Sequence, residues 1–280
     1  MIAPLRRVLV RKPAPPASEH DQARFGYPRA PNHDAACAEH TAFVGKLSDL
    51  GVDVIEAEAP EDGLLDAIFP YDPSFTTDGG MLLCRPGKDA RLPEVELARS
   101  AARALDIPIV GEILEPGTAE GGDMCWIDAN TLAVGEGYRT NVAGIDQLQI
   151  FLRPLGVDVV RVPLPYWHGP SECLHLLSLI SPVDEKVAVV YLPLLPVPFV
   201  KFLEREGWSF IEIPDAEFAS QGSNVLAIAP GKVLLLKDNP VTIGRLEAAG
   251  IEVRTYTGDE ISHNRAGGPT CLTRPVLREM

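Results

Sequence analysis

Apolar positions along this chain gather into short uninterrupted runs, not into long alternations. Val8 to Val10, Met81 to Cys84, Met124 to Ile127, Leu132 to Gly135, Val225 to Ala229 and Val233 to Leu236 are each bounded by charged, glycine or proline positions, the signature of short buried strands. An N-terminal strand over Val8 to Arg11 runs into a stretch rich in Pro, Ala, Ser and His that extends to about Pro31. That stretch reads as a loop too polar and broken to pack, of a length typical of a lid or binding segment. From Asp34 the pattern turns helical, with Ala38, Phe43, Val44 and Leu47 near one face, and it stops at Leu50-Gly51 before the strand Val52 to Ile55.

That stop recurs. Leu47 to Glu56, Ala101 to Val110, Phe151 to Val160, Phe202 to Ile211 and Leu246 to Arg254 each carry a helical end, then Gly or Asp, then a short β-rich run, at a period of roughly 45 to 55 residues, the range of arrays and propellers. Gly and Asp at these points suit a helix C-terminus that turns sharply into a strand. Strand pairs precede most of the helices: Ser74 to Thr76 with Met81 to Cys84, Met124 to Ile127 with Leu132 to Gly135, and Val225 to Ala229 with Val233 to Leu236. Gly79-Gly80, Asp128-Ala129-Asn130 and Pro230-Gly231 supply the hairpin turns. The predicted unit is strand, strand, helix, strand, repeated five times. Such a unit cannot bury its apolar face alone, so copies are expected to close around a common centre in one continuous domain over residues 1–280. A generic open α/β sheet is the competitor, and the hairpins, which demand mixed strand directions, argue against it. No GxGxxG or GxxxxGK[ST] loop is present.

A chain of 280 residues, 46% hydrophobic, is long enough to bury a substantial core. Its formal net charge of -14 and pI near 4.9 speak against nucleic acid or an anionic membrane as partner and favour a small cation. The opening apolar run is too short for a secretory leader, and no window approaches a membrane span. The five cysteines, Cys37, Cys84, Cys125, Cys173 and Cys271, form no CxxC and no close pair, which suits reduced thiols in the cytoplasm better than disulfides or a zinc site. Neither a metal nor a cofactor is expected, and a homodimer is left open.

Six places carry candidate chemistry. Asp72 is wedged among aromatics and prolines in Phe69-Pro70-Tyr71-Asp72-Pro73. Arg85 ends a strand in Arg85-Pro86-Gly87. Glu120 and Asp123 flank two glycines just before an apolar strand, a place suited to a cationic ligand. Arg139 lies in Gly135-Glu136-Gly137-Tyr138-Arg139-Thr140-Asn141, with Thr140 or Asn141 available as helix N-cap. His175 sits inside the apolar run Cys173-Leu174-His175-Leu176-Leu177, where a satisfied core histidine and an acid/base partner are both open readings. Gly267-Gly268-Pro269-Thr270-Cys271 sets a thiol behind a glycine-rich bend. Read singly, each has a bland alternative as turn, surface charge or core. Cys84 and Cys125, and Trp126, Trp167 and Trp208, read as core or pocket wall.

In order and local sequence these motifs resemble the guanidino-group-modifying superfamily, most closely the dimethylarginine dimethylaminohydrolases, over nearly the whole chain. The resemblance implies a fivefold pseudosymmetric α/β propeller (pentein) of ββαβ units. It implies that Cys271 is the nucleophile and His175 the general acid/base, that Asp72 and Glu120 hold the substrate guanidinium, and that Arg85 and Arg139 lie near the amino-acid carboxylate. The implied chemistry is attack of the thiolate on a clamped guanidinium carbon, departure of a protonated amine, and hydrolysis of the covalent thiouronium to a ureido product.

Two features bear on the substrate. Arginine deiminases carry a guanidinium-binding aspartate two residues after the catalytic histidine, where this chain has Leu177; an apolar residue there suits N-methyl groups and leaves bare N–H donors unpaired. Against this, Tyr71 precedes Asp72 where the dimethylarginine-hydrolysing relatives commonly carry Glu, and the Gly-Gly-Pro-Thr-Cys ending is somewhat deiminase-like. The alternatives are therefore an arginine deiminase or an amidinotransferase on the same fold, and a propeller retained only for binding, whose expected signature is loss of Cys271, His175 or Glu120.

Overall fold

A computed structural model describes residues 1–18, 20–60, 63–170 and 172–279. In chain order it contains β1 (Leu5–Arg11), α1 (Asp21–Phe25), α2 (His33–Asp49) and β2 (Asp53–Ala57). Then follow β3 (Ser74–Thr77), β4 (Gly80–Leu83), α3 (Glu94–Ala104) and β5 (Ile109–Glu112); β6 (Met124–Trp126), β7 (Thr131–Glu136), α4 (Val142–Leu152) and β8 (Asp158–Pro163). Next come β9 (Ile180–Asp184), β10 (Val187–Val190), α5 (Val197–Arg205) and β11 (Ser209–Glu212), then β12 (Leu226–Ala229), β13 (Lys232–Leu236), α6 (Pro240–Ala248), β14 (Glu252–Tyr256) and β15 (Arg274–Arg278).

Among the described residues the strands form five three-stranded sheets. In every one the middle strand pairs antiparallel with one neighbour and parallel with the other: β1 with β15 and β2, β4 with β3 and β5, β7 with β6 and β8, β10 with β9 and β11, β13 with β12 and β14. The parallel partner always arrives through a helix, as parallel pairing requires a crossover. Four of the middle strands carry continuous apolar runs, and Met81 to Leu83, Leu132 to Val134, Ala188 to Val190 and Val233 to Leu236 have no exposed surface, as strands covered on both faces must be. The three hairpins read from the sequence are present. Three strands were not foreseen: β9, which carries Pro182, β10, into which it turns through Glu185 and Lys186, and β15, which pairs with β1 and so completes the fifth sheet from the two ends of the chain.

The five helix stops share one geometry. Gly51, Asp106, Gly156, Gly207 and Gly250 all adopt positive φ, between 53° and 82°. Each donates its N–H three residues back, and the next residue donates five residues back, as in Val52 to Leu47, Ile107 to Ala102, Val157 to Leu152, Trp208 to Leu203 and Ile251 to Leu246, at 2.9 to 3.3 Å. This is the left-handed cap that satisfies the last carbonyls of a helix and brings an apolar residue back onto its final turn. All five accepting residues are fully buried.

Contacts divide the chain into two compact units, residues 1–69 with 178–280, and residues 70–177. The first unit has two clusters, one around Phe43, Leu47, Leu234 and Tyr256 and one around Val189, Val233 and Leu246. The second is built around Leu82, Met124, Leu132 and Leu148, with a smaller cluster beneath α3.

Two expectations need correction. The inward face of α2 is Ala36, His40, Phe43 and Leu47, and Ala38 points to solvent. The stretch before Pro31 also packs: Ala14, Asp21, Phe25 and Tyr27 are buried. Asp21 accepts from the Ala17 and Ser18 amides, and the Tyr27 hydroxyl sits between Asp66 and Arg265. Its polar residues are paired within the stretch and with residues far along the chain, which composition does not reveal. Position 19 lies outside the described residues.

Gly207 has φ of +81° and nothing within 4 Å of a Cβ built on it, whereas Gly45 and Gly244 lie inside α2 and α6 with equally open surroundings and ordinary φ. Gly207→Ala is expected to cost about 1 kcal/mol through left-handed strain alone, and Gly45→Ala and Gly244→Ala to gain about 0.5 to 1 kcal/mol each. Denaturant melts of the three variants check the sign reversal.

His40 supplies a pH dependence. Burial, with the Lys12 charge beside it, holds its pKa down to about 4, and its Nε2 has no partner. The unfolded chain binds this proton below about 6.5 while the folded protein refuses it until about 4. Stability should therefore fall as pH drops from 6.5 toward 4, by on the order of 3 kcal/mol. Melts across that window should show the slope in the parent and a flatter curve in His40→Leu.

Candidate active site

One position recurs just upstream of the first strand of every sheet. Asp72 precedes β3, Glu120 precedes β6 across a short 3-10 turn, His175 precedes β9 across another, Asn224 precedes β12 and Cys271 precedes β15. Four of these five are residues singled out from the sequence. Asn224 was missed, because Gly222-Ser223-Asn224 looks like an ordinary turn. Arg85 and Arg139 follow the middle strands β4 and β7.

In the unit of residues 70–177, Asp72, Glu120, Arg139 and His175 come together, each under a tenth exposed. Glu120 has no exposed surface. It accepts from the Gly87 amide at 3.0 Å, from Arg139 Nη1 at 3.1 and 3.2 Å, and faces His175 Nε2 at 2.7 Å. Asp72 accepts from the Gly122 amide at 3.0 Å and from Arg91 Nη1 at 2.6 Å, and lies 4.0 Å from His175 Nδ1. Gly122 is required here, since a Cβ on it would come within 2.4 Å of His175 Nδ1.

Arg91 was also passed over. It is 3% exposed, bridges Asp72 to Glu94 through Nη1, Nη2 and Nε, and lies 4.0 Å from Glu120. Its sequence signal was the Arg91-Leu92-Pro93-Glu94 spacing to the first turn of α3, which reads equally well as a surface pair. Arg85 is half-buried, and its backbone carbonyl accepts from Ala119 at 2.8 Å.

Asp123 turns out to be a brace. It accepts from the Thr140 hydroxyl at 2.6 Å and the Leu176 amide at 2.9 Å, tying the segment that carries His175 to the start of β6. Thr140 in turn accepts from the Glu120 amide at 3.1 Å. Asn141, as foreseen, caps α4, accepting from the Gly144 amide at 2.8 Å. Cys173, two residues before the histidine, places Sγ 3.6 Å from His175 Nδ1.

The charges shape one another. Burial opposes ionisation of Glu120, but Arg139, the His175 hydrogen bond and Arg91 outweigh it and hold the carboxyl well below the usual range. Burial pushes Asp123 up to about 6 against the pull of His175 and Thr140. Burial also resists charge on His175, yet Cys173, Asp72 and Asp123 raise its pKa well above the ordinary value. The site can thus present the Glu120 carboxylate and an imidazolium together. Asp72, Glu120 and His175 offer donor atoms within 4.8 Å of one another, a spacing that could suit a divalent ion, but Arg91 and Arg139 already neutralise those carboxylates. Beside the same loop, Tyr138, Tyr166, Trp167, Glu172 and Leu174 help to line a pocket of about 310 Å3.

In the other unit, Cys271 is half-buried. Asn224 Nδ2 donates to its Sγ at 3.2 Å, while Asn224 Oδ1 accepts from the Thr270 amide at 3.1 Å, which fixes the orientation of the amide. A Cβ on Gly268 would lie 2.4 Å from Asn224 Cγ, so the glycine-rich bend admits the side chain that reaches the thiol. His263 faces Asp238 at 3.2 Å, and Asn264 is buried against Glu260. Cys84 and Cys125 are core, as expected, and Trp126 stacks on Phe75.

The arginine deiminase family model matches residues 62–197 and 192–278 of this chain. An N(G),N(G)-dimethylarginine dimethylaminohydrolase of Streptomyces coelicolor is 30% identical over 249 residues, 89% of either chain. An arginine deiminase of Mycobacterium marinum is 31% identical, but over 57% of this chain and 46% of its own length. The solved structure of the Pseudomonas aeruginosa dimethylarginine dimethylaminohydrolase, a mutant complexed with citrulline, superposes with a TM-score of 0.79 at 23% identity, covering 96% of this chain and 98% of that one, so the α/β fold of five small sheets is shared. On family match, identity and coverage together, the chain belongs to the arginine deiminase family and, within it, to the dimethylarginine dimethylaminohydrolases.

Proposed function

We propose that this protein hydrolyses N-methylated arginine to citrulline and dimethylamine or methylamine, as one catalytic domain in which the five sheets are blades of a fivefold propeller, acting in the cytoplasm. The observation that carries the reading is the recurring position upstream of each first strand, filled in turn by Asp72, Glu120, His175, Asn224 and Cys271. A repeat scaffold has no structural need for five different polar residues at equivalent points, whereas guanidinium hydrolysis needs two carboxylates, an acid/base and a nucleophile.

In this reading Asp72 and Glu120 accept N–H bonds in the plane of the guanidinium and orient its carbon. The Cys271 thiolate, steadied by the Asn224 amide, adds to that carbon. His175 as imidazolium gives a proton to the departing alkylamine as the C–N bond breaks, leaving a thiouronium on sulfur. The neutral imidazole then takes a proton from water, hydroxide adds to the carbon, and the C–S bond breaks as the hydroxyl proton passes to the released amine through solvent, which frees citrulline and restores the thiolate. Arg85 and Arg139 read the amino-acid carboxylate. Leu177, buried two residues after His175, favours methylated over bare guanidinium, because an unmethylated N–H facing it stays unpaired. A small cationic guanidino substrate also suits the acidic chain.

Arginine deiminase is the second reading, favoured by the matches to enzymes of that name; those matches leave about half of each relative uncovered, whereas the dimethylarginine relative is matched over 89% of its length. Parallel turnover of asymmetric dimethylarginine and arginine tests the choice. Citrulline and dimethylamine in equal amounts are expected, lost by roughly a thousandfold or more in Cys271→Ser. Ammonia from arginine with dimethylarginine inert would replace the first reading by the second.

A separate check addresses the arginines. Arg139→Ala and Arg85→Ala are expected to raise KM for amino-acid substrates about tenfold more than for an alkylguanidine without a carboxylate, since one charge-assisted bond is at stake. Equal effects on both substrates would remove the carboxylate-reading role.

A further inference from the structure

Asn224 stands just upstream of β12, at the point that carries an acid or a base before β3, β6 and β9, and its neighbours fix the orientation of its amide. The Thr270 backbone N–H can only donate, so the side-chain atom 3.1 Å from it is the oxygen Oδ1, and the NH2 group is turned to Cys271 Sγ at 3.2 Å. A flipped amide would set two donors face to face. Sulfur therefore meets an N–H donor. Such a donor bonds weakly to a neutral thiol and more strongly to the anion, as hydrogen bonds to ionised acceptors do.

The backbone on either side of Asn224 is held as well. The Ser181 hydroxyl, on β9, donates to the Ser223 carbonyl at 2.6 Å and accepts from the Val225 amide at 3.2 Å, so one side chain bonds to both chain neighbours of Asn224. The Asn224 N–H donates to the Gln221 carbonyl at 3.0 Å, the Ser223 hydroxyl to the Ser178 carbonyl at 2.6 Å, and the Thr270 hydroxyl to the Val225 carbonyl at 3.3 Å. Ser181, Ser223 and Asn224 are all buried. A donor fixed in this way needs no reorganisation when charge develops in front of it.

Resting on the hydrolase reading, we infer that Asn224 is a catalytic residue: its Nδ2–H bond to Cys271 Sγ stabilises the sulfur as an anion, before attack on the guanidinium carbon and again as the C–S bond breaks, with Ser181 as the positioning residue that keeps the donor in place. The sulfur carries negative charge at those two points of the hydrolysis and gives it up in the thiouronium between them. The bond thus raises the ionised share of the nucleophile at the start and favours its departure at the end.

The residue type follows from the same geometry. An aspartate of equal shape could still accept from Thr270, but it would turn a second, charged oxygen to the sulfur and oppose its ionisation. Equivalent points carry the carboxylates of Asp72 and Glu120, which in this reading hold a cation. Beside the nucleophile the chain carries a neutral amide. Asn224→Asp therefore separates the two bonds of this side chain, keeping the acceptor for Thr270 and losing the donor to sulfur.

The test follows alkylation of Cys271 by iodoacetamide against pH, read by mass spectrometry on the Cys271 peptide, in the parent, Asn224→Asp, Asn224→Ala and Ser181→Ala, together with kcat and KM for dimethylarginine. Asn224→Ala should move the pH midpoint of alkylation up by about one unit, a tenfold change in the ionisation equilibrium. Asn224→Asp should move it further, and Ser181→Ala in the same direction by less. In Asn224→Asp, kcat near neutral pH should fall by about tenfold or more, with KM changing less than about threefold. A residue that only braces Thr270 would give the opposite order, with Asp like the parent and Ala alone impaired. Coincident midpoints in the parent and Asn224→Asp would overturn the proposal, as would a parent-like kcat in that variant, and an unmoved midpoint in Ser181→Ala would remove the role of Ser181. Should Asn224→Ala fail to fold, Asn224→Asp, which matches the parent in shape, carries the decision. A parent that turns over no dimethylarginine would sink the hydrolase reading instead, and the alkylation midpoints, which need no turnover, still decide the role of Asn224.

Discussion

Glu120 has no exposed surface, and a carboxylate taken out of water costs several kcal/mol unless charge and hydrogen bonds replace the solvent. Much of residues 70–177 is arranged to meet that demand. The Gly87 amide, Arg139 and His175 bond to it, and Thr140 fixes its backbone. Each partner brings its own obligation. Arg139 and Thr140 must leave β7 at the right point, which the N-cap of Asn141 on α4 secures. His175 must be held on a segment with little regular structure, which Asp123 does by gripping the Leu176 amide. Asp72 with Arg91 and Glu94 repeats the pattern on a second pair of buried acids. Removing one member leaves an uncompensated buried charge, so the network is cooperative and the effects of single changes within it do not add.

The scaffold around this network is uniform where the site is varied. Five helices end in the same left-handed cap, and five middle strands have the same mixed pairing. This regularity delivers the chain to equivalent points before each first strand, and the local side chain there decides what that point does. Backbone precision comes from the repeat, and chemistry from departures within it. Close-packed glycines such as Gly122 and Gly268 serve the departures, since each admits a side chain, His175 or Asn224, that a Cβ would displace.

The repeat was legible because its punctuation is chemical. Gly or Asp at a helix end, followed by an apolar residue, has one economical structure, and it occurs five times. Hairpins with glycine or Asp-Ala-Asn turns were legible for the same reason. The β9–β10 hairpin was not, since Pro182 argues against a strand and Lys186 takes its positive φ without a glycine to announce it. Strand β15 reads as polar sequence, and only pairing with the other end of the chain makes it a strand. Of the candidate residues, Asp72, Glu120, His175 and Cys271 stood out by the company they keep. Arg91 and Asn224 did not, because an arginine near a helix start and an asparagine in a turn are commonplace, and their importance lies in burial and in partners far along the chain. The polar stretch before Pro31 misled for the same reason: its polar groups find partners, Asp21 within the stretch and Tyr27 and Arg29 far along the chain.

The same reasoning separates two kinds of buried acid in one cluster. Glu120, faced by Arg139, Arg91 and His175, stays ionised far below neutrality, whereas Asp123, with the same burial, rises to about 6 because its closest partners are a hydroxyl and an amide. A charged ligand bound in such a cluster meets one acid that holds its charge and another whose charge responds to the neighbourhood. Glu120 is therefore the fit partner for a permanent cation, a guanidinium included. Asp123 is suited to bracing the loop, since it accepts the Thr140 hydroxyl and the Leu176 amide and does not depend on a cation to remain in place. Binding and bracing are thus divided between two carboxyls only three residues apart, and the division is set by what each one touches, not by residue type.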